Sequence, residues 1–322
     1  MTILGELLRA HPTVPLGHYP TPIDELPRLR DAIGGGPRIL VKRDDAIPFG
    51  FGGNKVRKLA MVGAQALADG ADTLISCGGI QSNHARATAA AATQLGMRCL
   101  LVANGKQPEH PTGNALLVKL LGAELTYVKD RDDRAPAMDR LARKVRKDGG
   151  KPFVVPLGAS TPLGALAFAA GIDEIVAQGV RPDVIVHASS SGGTQAGLLA
   201  GCALLGLETR VMGVSADDPA DALSATIGEI IGGMETLLDR EIAVRAADIM
   251  VDDSFVGDGY GVPSDASRAA QTVAAQTEAL FVDHTYTAKA LAALIAWARG
   301  GQIAPHETVL VWHTGGQVGL FA

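Results

Sequence analysis

The chain has 322 residues, 47% of them hydrophobic, and its 29 basic and 34 acidic residues leave a net charge of −5. That length allows two cooperating lobes, and the acidic balance gives a nucleic acid or an anionic membrane surface nothing to hold, so any anion site is local. Thirty-nine glycines against an aromatic content of 4% fit an Ala/Gly-rich α/β enzyme with many tight turns between strands and helices.

In chain order, residues 1–17 lack a basic segment followed by an apolar run, which argues against a secretion signal. A first strand is predicted at 39–42 and a helix at 55–68, joined by Gly50-Phe51-Gly52-Gly53-Asn54-Lys55. Lys55 therefore stands at a helix start, where the dipole disfavours a cation. With burial its pKa would fall, as a Schiff-base amine requires. A surface lysine in a basic first turn with Arg57 and Lys58 satisfies the same local pattern. The spacing is not that of a nucleotide phosphate loop, which ends Gly-Lys-Ser/Thr.

A strand at 73–76 runs into Cys77-Gly78-Gly79-Ile80-Gln81-Ser82-Asn83 and a helix at 84–94. Ser82, Asn83 and His84 at that helix start could hold a carboxylate through amides and side chains. A Ser/Asn cap with a satisfied helix histidine reads equally well. Strands at 98–102 and 125–128 follow. The charged stretch 136–147 carries Met138, Leu141 and Val145 on one face and reads as a solvated amphipathic helix.

Strand 153–155, helix 163–178 and strand 184–187 lead to Ser189-Ser190-Ser191-Gly192-Gly193-Thr194-Gln195. Small residues there admit an anion to a helix N-terminus, with the Ser191 and Thr194 hydroxyls as donors. A tight capped turn is the plainer alternative. A helix at 195–205, a strand at 211–214, a helix at 287–299 and a strand at 308–312 complete the pattern, the last opening into Thr314-Gly315-Gly316. Strands alternating with helices predict open parallel sheets, in which ligands bind beyond the carboxyl ends of the strands. Cys77, Cys99 and Cys202 show neither paired nor metal-ligand spacing, which fits free thiols in a reducing cytoplasm and no metal site. No apolar run is long enough to span a membrane.

Together these segments resemble the D-cysteine desulfhydrase/1-aminocyclopropane-1-carboxylate deaminase family of fold-type-II (tryptophan-synthase-β-like) pyridoxal-phosphate enzymes. The resemblance runs from Tyr19-Pro20-Thr21-Pro22 and Val41-Lys42-Arg43-Asp44-Asp45 through the segments 52–59 and 79–86. It continues through Thr161-Pro162-Leu163-Gly164-Ala165, 191–197, Gly259-Tyr260-Gly261 and 283–289 to His313-Thr314-Gly315-Gly316.

It implies two domains, a large cofactor-binding one from 1–52 and 164–322 and a small one from 53–163, and a cytoplasmic homodimer without nucleic-acid or membrane partners. Lys55 would be the Schiff-base lysine and proton carrier, with Ser82, Tyr260 and Tyr286 as further catalytic groups. Asn54, Asn83, Ser191, Gly192, Gly193, Thr194 and Thr314 would hold pyridoxal 5'-phosphate: Asn83 at its phenolic oxygen, the 191–194 loop at its phosphate, Thr314 at its ring nitrogen. Ser82, Asn83, His84 and Tyr286 would bind the amino-acid substrate.

The activity implied is β-elimination with deamination, as of D-cysteine to pyruvate, ammonia and sulfide. L-cysteate sulfo-lyase, 1-aminocyclopropane-1-carboxylate deaminase and a β-replacement synthase are the alternatives, with a non-catalytic cofactor carrier further off. Ring-opening deaminases of the family carry an acidic residue at the place of Thr287 and Leu at that of Thr314, which places this chain on the desulfhydrase side. Departures from the family pattern are His284 and Thr285 before Tyr286, Thr161 in a Ser-Asn pair, and Phe168 where Tyr is frequent. His284 and Thr285 are expected beside the active-site wall, with Cys77 close to the carboxylate loop.

Overall fold

The structure is a computed structural model that describes residues 3–322. Its first part runs α1 (Ile3–Leu8), β1 (Ile23–Glu25), α2 (Pro27–Ala32), β2 (Arg38–Arg43), α3 (Asn54–Ala68), β3 (Thr73–Gly79), α4 (Asn83–Gln94) and β4 (Arg98–Asn104). Next come α5 (Gly113–Leu120), β5 (Glu124–Val128), α6 (Arg134–Lys147), β6 (Pro152–Val154), α7 (Pro162–Ala177), β7 (Val184–Ser189), α8 (Gly193–Leu204) and β8 (Arg210–Ser215). The chain ends with α9 (Ala220–Leu238), β9 (Met250–Asp252), α10 (Asp265–Glu278), α11 (Thr287–Arg299) and β10 (Thr308–His313).

The strands form a six-stranded sheet in the order β1-β2-β10-β7-β8-β9 and a four-stranded sheet in the order β5-β4-β3-β6. Every pairing is parallel except β1 with β2. This is the α/β class expected, with helices on both faces of each sheet. Strands buried on both faces read as near-continuous apolar runs, and alternate side chains enter different cores. Leu40, Ile185, Val211, Leu310 and Trp312 join α7, α8 and α9 on one face of the large sheet. Their neighbours Ile39, Val41, Val184, Val186, Val309 and Val311 join α2, α10 and α11 on the other. In the small sheet Leu74, Cys99 and Leu101 pack with α3 and α4, while Ile75, Cys77, Leu100 and Val102 pack with α6.

All eight expected strands are present, as are the six expected helices. The additional strands, β1 and β9, are three-residue edge strands, too short to show a period of two. Among the additional helices, α9 buries Leu223, Ile227, Ile230, Ile231, Met234 and Leu238 at helical spacing. Its glycines and small polar residues conceal that stripe in the sequence.

A buried ion cluster ties α3 to the large sheet. Arg57 donates to both Asp44 carboxylate oxygens at 2.8 Å and to Glu174 at 2.8 and 3.0 Å. Lys42 joins Glu174 from β2 at 2.5 Å, and the Trp312 indole N–H donates to Asp44 at 2.8 Å. Burial acts to raise the Glu174 carboxyl, yet Arg57 and then Lys42 outweigh it and hold it at about 2. With each buried charge paired and hydrogen-bonded, the cluster escapes the penalty of an isolated ion. It fixes the angle at which α3 presents its N-terminus.

Candidate active site

That N-terminus lies in a cavity of about 300 Å³ at the carboxyl ends of strands from both sheets, reached by Gly79 of β3, Asn104 of β4, Ser189 of β7, Asp217 after β8 and Thr314 after β10. The chain enters α3 through two glycines that no other residue could replace without strain. Gly52 and Gly53 have φ of 66° and 97°, and a Cβ on Gly53 would stand 2.8 Å from the Thr314 carbonyl. The Gly53 amide donates to the Asp44 carbonyl at 2.8 Å and the Asn54 amide to that of Thr314 at 3.0 Å. So clamped, Lys55 lines the cavity from the first turn of α3. Its amine has no ion pair among the described residues, and burial lowers its pKa to about 8.

Facing it is the loop from β7 to α8. Gly192, at φ 75°, turns the chain so that α8 begins pointing its free amides at the cavity. Ser189, Ser190, Ser191, Gly192 and Thr194 line it. Gly193 does not: its amide donates backwards to the Ser191 carbonyl at 2.9 Å and to Ser160 Oγ at 3.3 Å. The loop is held from both sides, by Asn54 Nδ2 donating to Thr194 Oγ1 at 3.1 Å and by Ser160 Oγ at 2.7 Å from Ser191 Oγ. Behind Ser160 stands Lys58, fully buried, its Nζ donating to Ser160 Oγ at 3.1 Å. Burial, and then the field of Lys55, push its pKa well down, and no carboxylate pairs with it among the described residues. A dianion at the α8 N-terminus would supply the missing countercharge. The sequence signal of Lys58 is only its i, i+3 spacing from Lys55, which puts both on one side of α3.

The third wall is the start of α4. Ser82 is its N-cap, accepting from the Ala85 amide at 3.2 Å. Ser82 thus caps α4 and lines the cavity as well. Asn83 Oδ1 accepts from Asn114 Nδ2 at 2.9 Å and from Arg86 Nη1 at 3.2 Å, which leaves the Asn83 NH₂ group as the donor for a ligand. Arg86, buried and lowered to about 10 by desolvation, also donates to the Gly52 carbonyl at 2.8 Å, bracing the α3 entry against α4. His84 lines the cavity too, but its Nε2 meets Ser76 Oγ at 2.8 Å while that hydroxyl donates to the Val155 carbonyl. Burial and the nearby lysines keep the ring neutral. One ring nitrogen is thus held in the core while Nδ1 is buried without a hydrogen-bond partner among the described residues, and the free amides of the first helical turn remain for an anion.

Tyr260 and Tyr286 close the fourth side, their hydroxyls hydrogen-bonded to each other and their rings edge-to-face with centroids 5.8 Å apart. Burial raises both phenols, that of Tyr286 well above its usual value. Tyr286 is aimed by Asp283, whose carboxylate accepts the amides of Thr285, Tyr286 and Thr287 at 3.0 to 3.1 Å. The Thr287 hydroxyl is spent on Asp283 as well, at 2.8 Å. At the rim Arg131 meets Asp217 at 2.8 Å and Asp218 at 3.4 Å, joining the α6 side of the cavity to the end of β8.

The departures noted in the sequence sit elsewhere. His284 and Thr285 precede the wall residue Tyr286 without lining the cavity themselves. Thr161 is the N-cap of α7, and Phe168 is core packed edge-on against Trp312. Cys77 is a buried core thiol whose pKa desolvation raises.

The site thus offers an anion cradle backed by the Lys58 amine, an amide donor from Asn83, a hydroxyl at Thr314 and an unpaired amine of lowered pKa at Lys55. The buried Ser189 hydroxyl, without a partner among the described residues, adds a donor at the cradle. This donor set fits a phosphate ester on an aromatic ring that carries an oxygen and an electrophilic carbon. The free α4 amides beside it fit a carboxylate.

A family model described as pyridoxal-phosphate dependent enzyme matches residues 14–315. A D-cysteine desulfhydrase of Klebsiella pneumoniae (strain 342) is 36% identical over 98% of this chain and 97% of its own length. A 1-aminocyclopropane-1-carboxylate deaminase of Rhizobium leguminosarum bv. viciae is 36% identical over 98% and 96%. A solved structure described as an ACC deaminase homologue superposes with a TM-score of 0.92 at 34% identity, covering 99% of this chain and 96% of its own. Threonine deaminase isoform 2 of Solanum lycopersicum shares the fold, with a TM-score of 0.69 at 18% identity over 97% of this chain and 84% of its own.

Proposed function

We propose, for a chain that belongs to the pyridoxal-phosphate-dependent lyases of the D-cysteine desulfhydrase/1-aminocyclopropane-1-carboxylate deaminase family, that it eliminates the β-substituent of a small amino acid, as of D-cysteine, and releases pyruvate, ammonia and sulfide. The carrying observation is the unpaired Lys55 amine facing an anion cradle, a carboxylate-binding helix start and two hydroxyl-paired tyrosines in one cavity. Relatives bearing the two activity names are equally similar, so the choice between them rests on particular positions. Thr287 is uncharged and turned into the Asp283 cap, and Thr314 brings a hydroxyl to the cavity. Both favour the desulfhydrase reading over ring opening.

When bound, pyridoxal phosphate supplies an electron sink for the pair released at the substrate's Cα. Lys55 is the residue that would join its aldehyde carbon; the α8 amides, Ser191, Thr194 and, from behind, Lys58 would hold its phosphate; Asn83 would donate to its ring oxygen. Thr314 offers the ring nitrogen a hydroxyl, which carries no charge to keep a proton there. A neutral hydroxyl there would not stabilise a protonated ring nitrogen as a carboxylate would, which supports elimination over racemisation. The substrate carboxylate takes the α4 amides and the Ser82 hydroxyl. The Lys55 amine, lowered to about 8 by burial, would be suited to take the α-proton when it is free. Tyr260 and Tyr286 stay protonated because burial raises them, so the pair can give a proton to the departing sulfur. For D-cysteine the balance is one water consumed, with one pyruvate, one ammonia and one hydrogen sulfide formed.

The division into a large lobe, 1–52 with 164–322, and a small lobe, 53–163, belongs to the same proposal, as does a homodimer. Closure of the lobes over the cavity would exclude water until the leaving group has gone. The reaction is tested by incubating the holoenzyme with D-cysteine, L-cysteate, β-chloro-D-alanine and 1-aminocyclopropane-1-carboxylate and assaying 2-oxo acids. Pyruvate with stoichiometric sulfide from D-cysteine is expected. A 2-oxo acid from the cyclopropane alone, or none from any substrate, overturns the reading.

A further inference from the structure

The proposed reaction makes no use of Lys289, whose side chain is among the largest that are fully buried, at 1% exposure. It is the third residue of α11, where the positive end of the helix dipole opposes a cation. Burial opposes it too, and lowers its pKa. The compensation is specific. Nζ donates to the Val256 carbonyl at 2.7 Å, to that of Gly259 at 3.0 Å and to that of Ala216 at 3.4 Å. Only the charged ammonium carries a hydrogen for each of three acceptors. Asp217 and Asp283 supply negative charge nearby, while no carboxylate lies within ion-pair distance among the described residues. The side chain is therefore a cation caged by backbone oxygens.

Those oxygens belong to the loops that furnish one wall of the cavity. Ala216 immediately precedes Asp217, and Val256 and Gly259 lie in the segment that delivers Tyr260. Residues 253–264 contain neither helix nor strand, and Gly257, Gly259 and Gly261 all have positive φ. Such a backbone has little rigidity of its own. Apart from the tyrosine hydroxyl pair and two local turn bonds, Val256 N–H to the Asp253 carbonyl at 3.2 Å and Val262 N–H to the Gly259 carbonyl at 3.3 Å, the hydrogen bonds that tie residues 255–261 to the rest of the chain run, among the described residues, through the Lys289 ammonium. Tyr286 stands three residues before Lys289 at the same end of α11. One helix end therefore grips the glycine-rich loop and meets the loop's tyrosine.

We propose that Lys289 is a positioning residue, a built-in monovalent cation that gathers the carbonyls of 216, 256 and 259 and so holds the Tyr260 hydroxyl against that of Tyr286. Its importance for turnover rests on the function proposed above; the tether itself does not. Replacing the cation by an isosteric apolar chain, Lys289→Met, takes the ammonium from all three carbonyls and leaves that of Gly259 only the Val262 amide. Amide exchange of residues 255–261 in the holoenzyme, followed by mass spectrometry, is expected to accelerate about tenfold or more while β10 and α8 keep their protection. In Lys289→Ala, which vacates the cage, ammonium chloride should restore slow exchange and sodium chloride should not. Unchanged exchange in a folded variant overturns the proposal, as does loosening spread evenly over the protein. Should neither variant fold, ¹⁵N-lysine spectra of the unaltered holoenzyme decide: a slowly exchanging ammonium resonance at neutral pH, beyond any from Lys42 and Lys58, is expected, and its absence refutes the cage. Accelerated exchange with no turnover on any amino acid would leave the tether standing and remove only the reaction assigned to the site.

Discussion

At the scale of single residues, two lysines one helical turn apart do different work because their surroundings differ. Lys55 opens on the cavity with a pKa of about 8, and Lys58 lies behind the anion cradle with no countercharge among the described residues. The amine must be neutral to attack an aldehyde. The rate at which the cofactor-free protein captures pyridoxal phosphate should therefore rise with pH through about 8 and level above it, followed by stopped-flow absorbance. A profile still climbing steeply at pH 10 contradicts the desolvated amine. For Lys58, a charged hydrogen bond of roughly 1.5–3 kcal/mol is at stake. Lys58→Met should weaken equilibrium cofactor binding by about ten- to a hundredfold while the Lys55 linkage still forms. Lys55 was legible because glycines and an Asn announced a special helix start. Lys58 was not, since a lysine on a basic helical turn is ordinarily solvated and only the fold buries it.

Among the elements, legibility followed length and glycine placement. Eight strands with continuous apolar runs could be placed from the sequence, along with the three Gly-rich turns after β3, β7 and β10 that converge on the cavity. β1 and β9 escaped because three residues at a sheet edge carry no period. The role of Asp283 escaped because its capping bonds return from residues downstream, as did the hydrogen bond between His84 Nε2 and Ser76 of β3. The start of α11 is the element that aims Tyr286, and its cap can be measured. Thr287→Val removes the hydroxyl between Asp283 N–H and Oδ1, and should cost about 1 kcal/mol in denaturant unfolding. It should lower kcat more than it raises KM, because a misplaced tyrosine affects proton delivery rather than carboxylate binding. An unchanged kcat would mean that Tyr286 is aimed by packing alone.

For the whole molecule, the ion cluster of Lys42, Asp44, Arg57 and Glu174 links β2, α3 and α7, and therefore the residues behind both walls of the cavity. Glu174 falls from its ordinary 4.5 to about 2 on folding. A carboxylate depressed in this way contributes stability that is fully present above pH 4.5 and is lost as pH falls toward 2, roughly 3 kcal/mol in all. Unfolding free energy measured between pH 5 and pH 2.5 should decline more steeply in the native protein than in Glu174→Gln, in which that window is absent. Parallel slopes in the two proteins would show that the cluster does not titrate with folding.

The account depends most on one covalent attachment, and reduction makes it permanent. Treating the holoenzyme with borohydride, digesting it and sequencing the labelled peptide by mass spectrometry should find the cofactor on the Lys55 amine, with Lys58 unmodified. A label on Lys58, or on any lysine outside the cavity, would contradict the site as described.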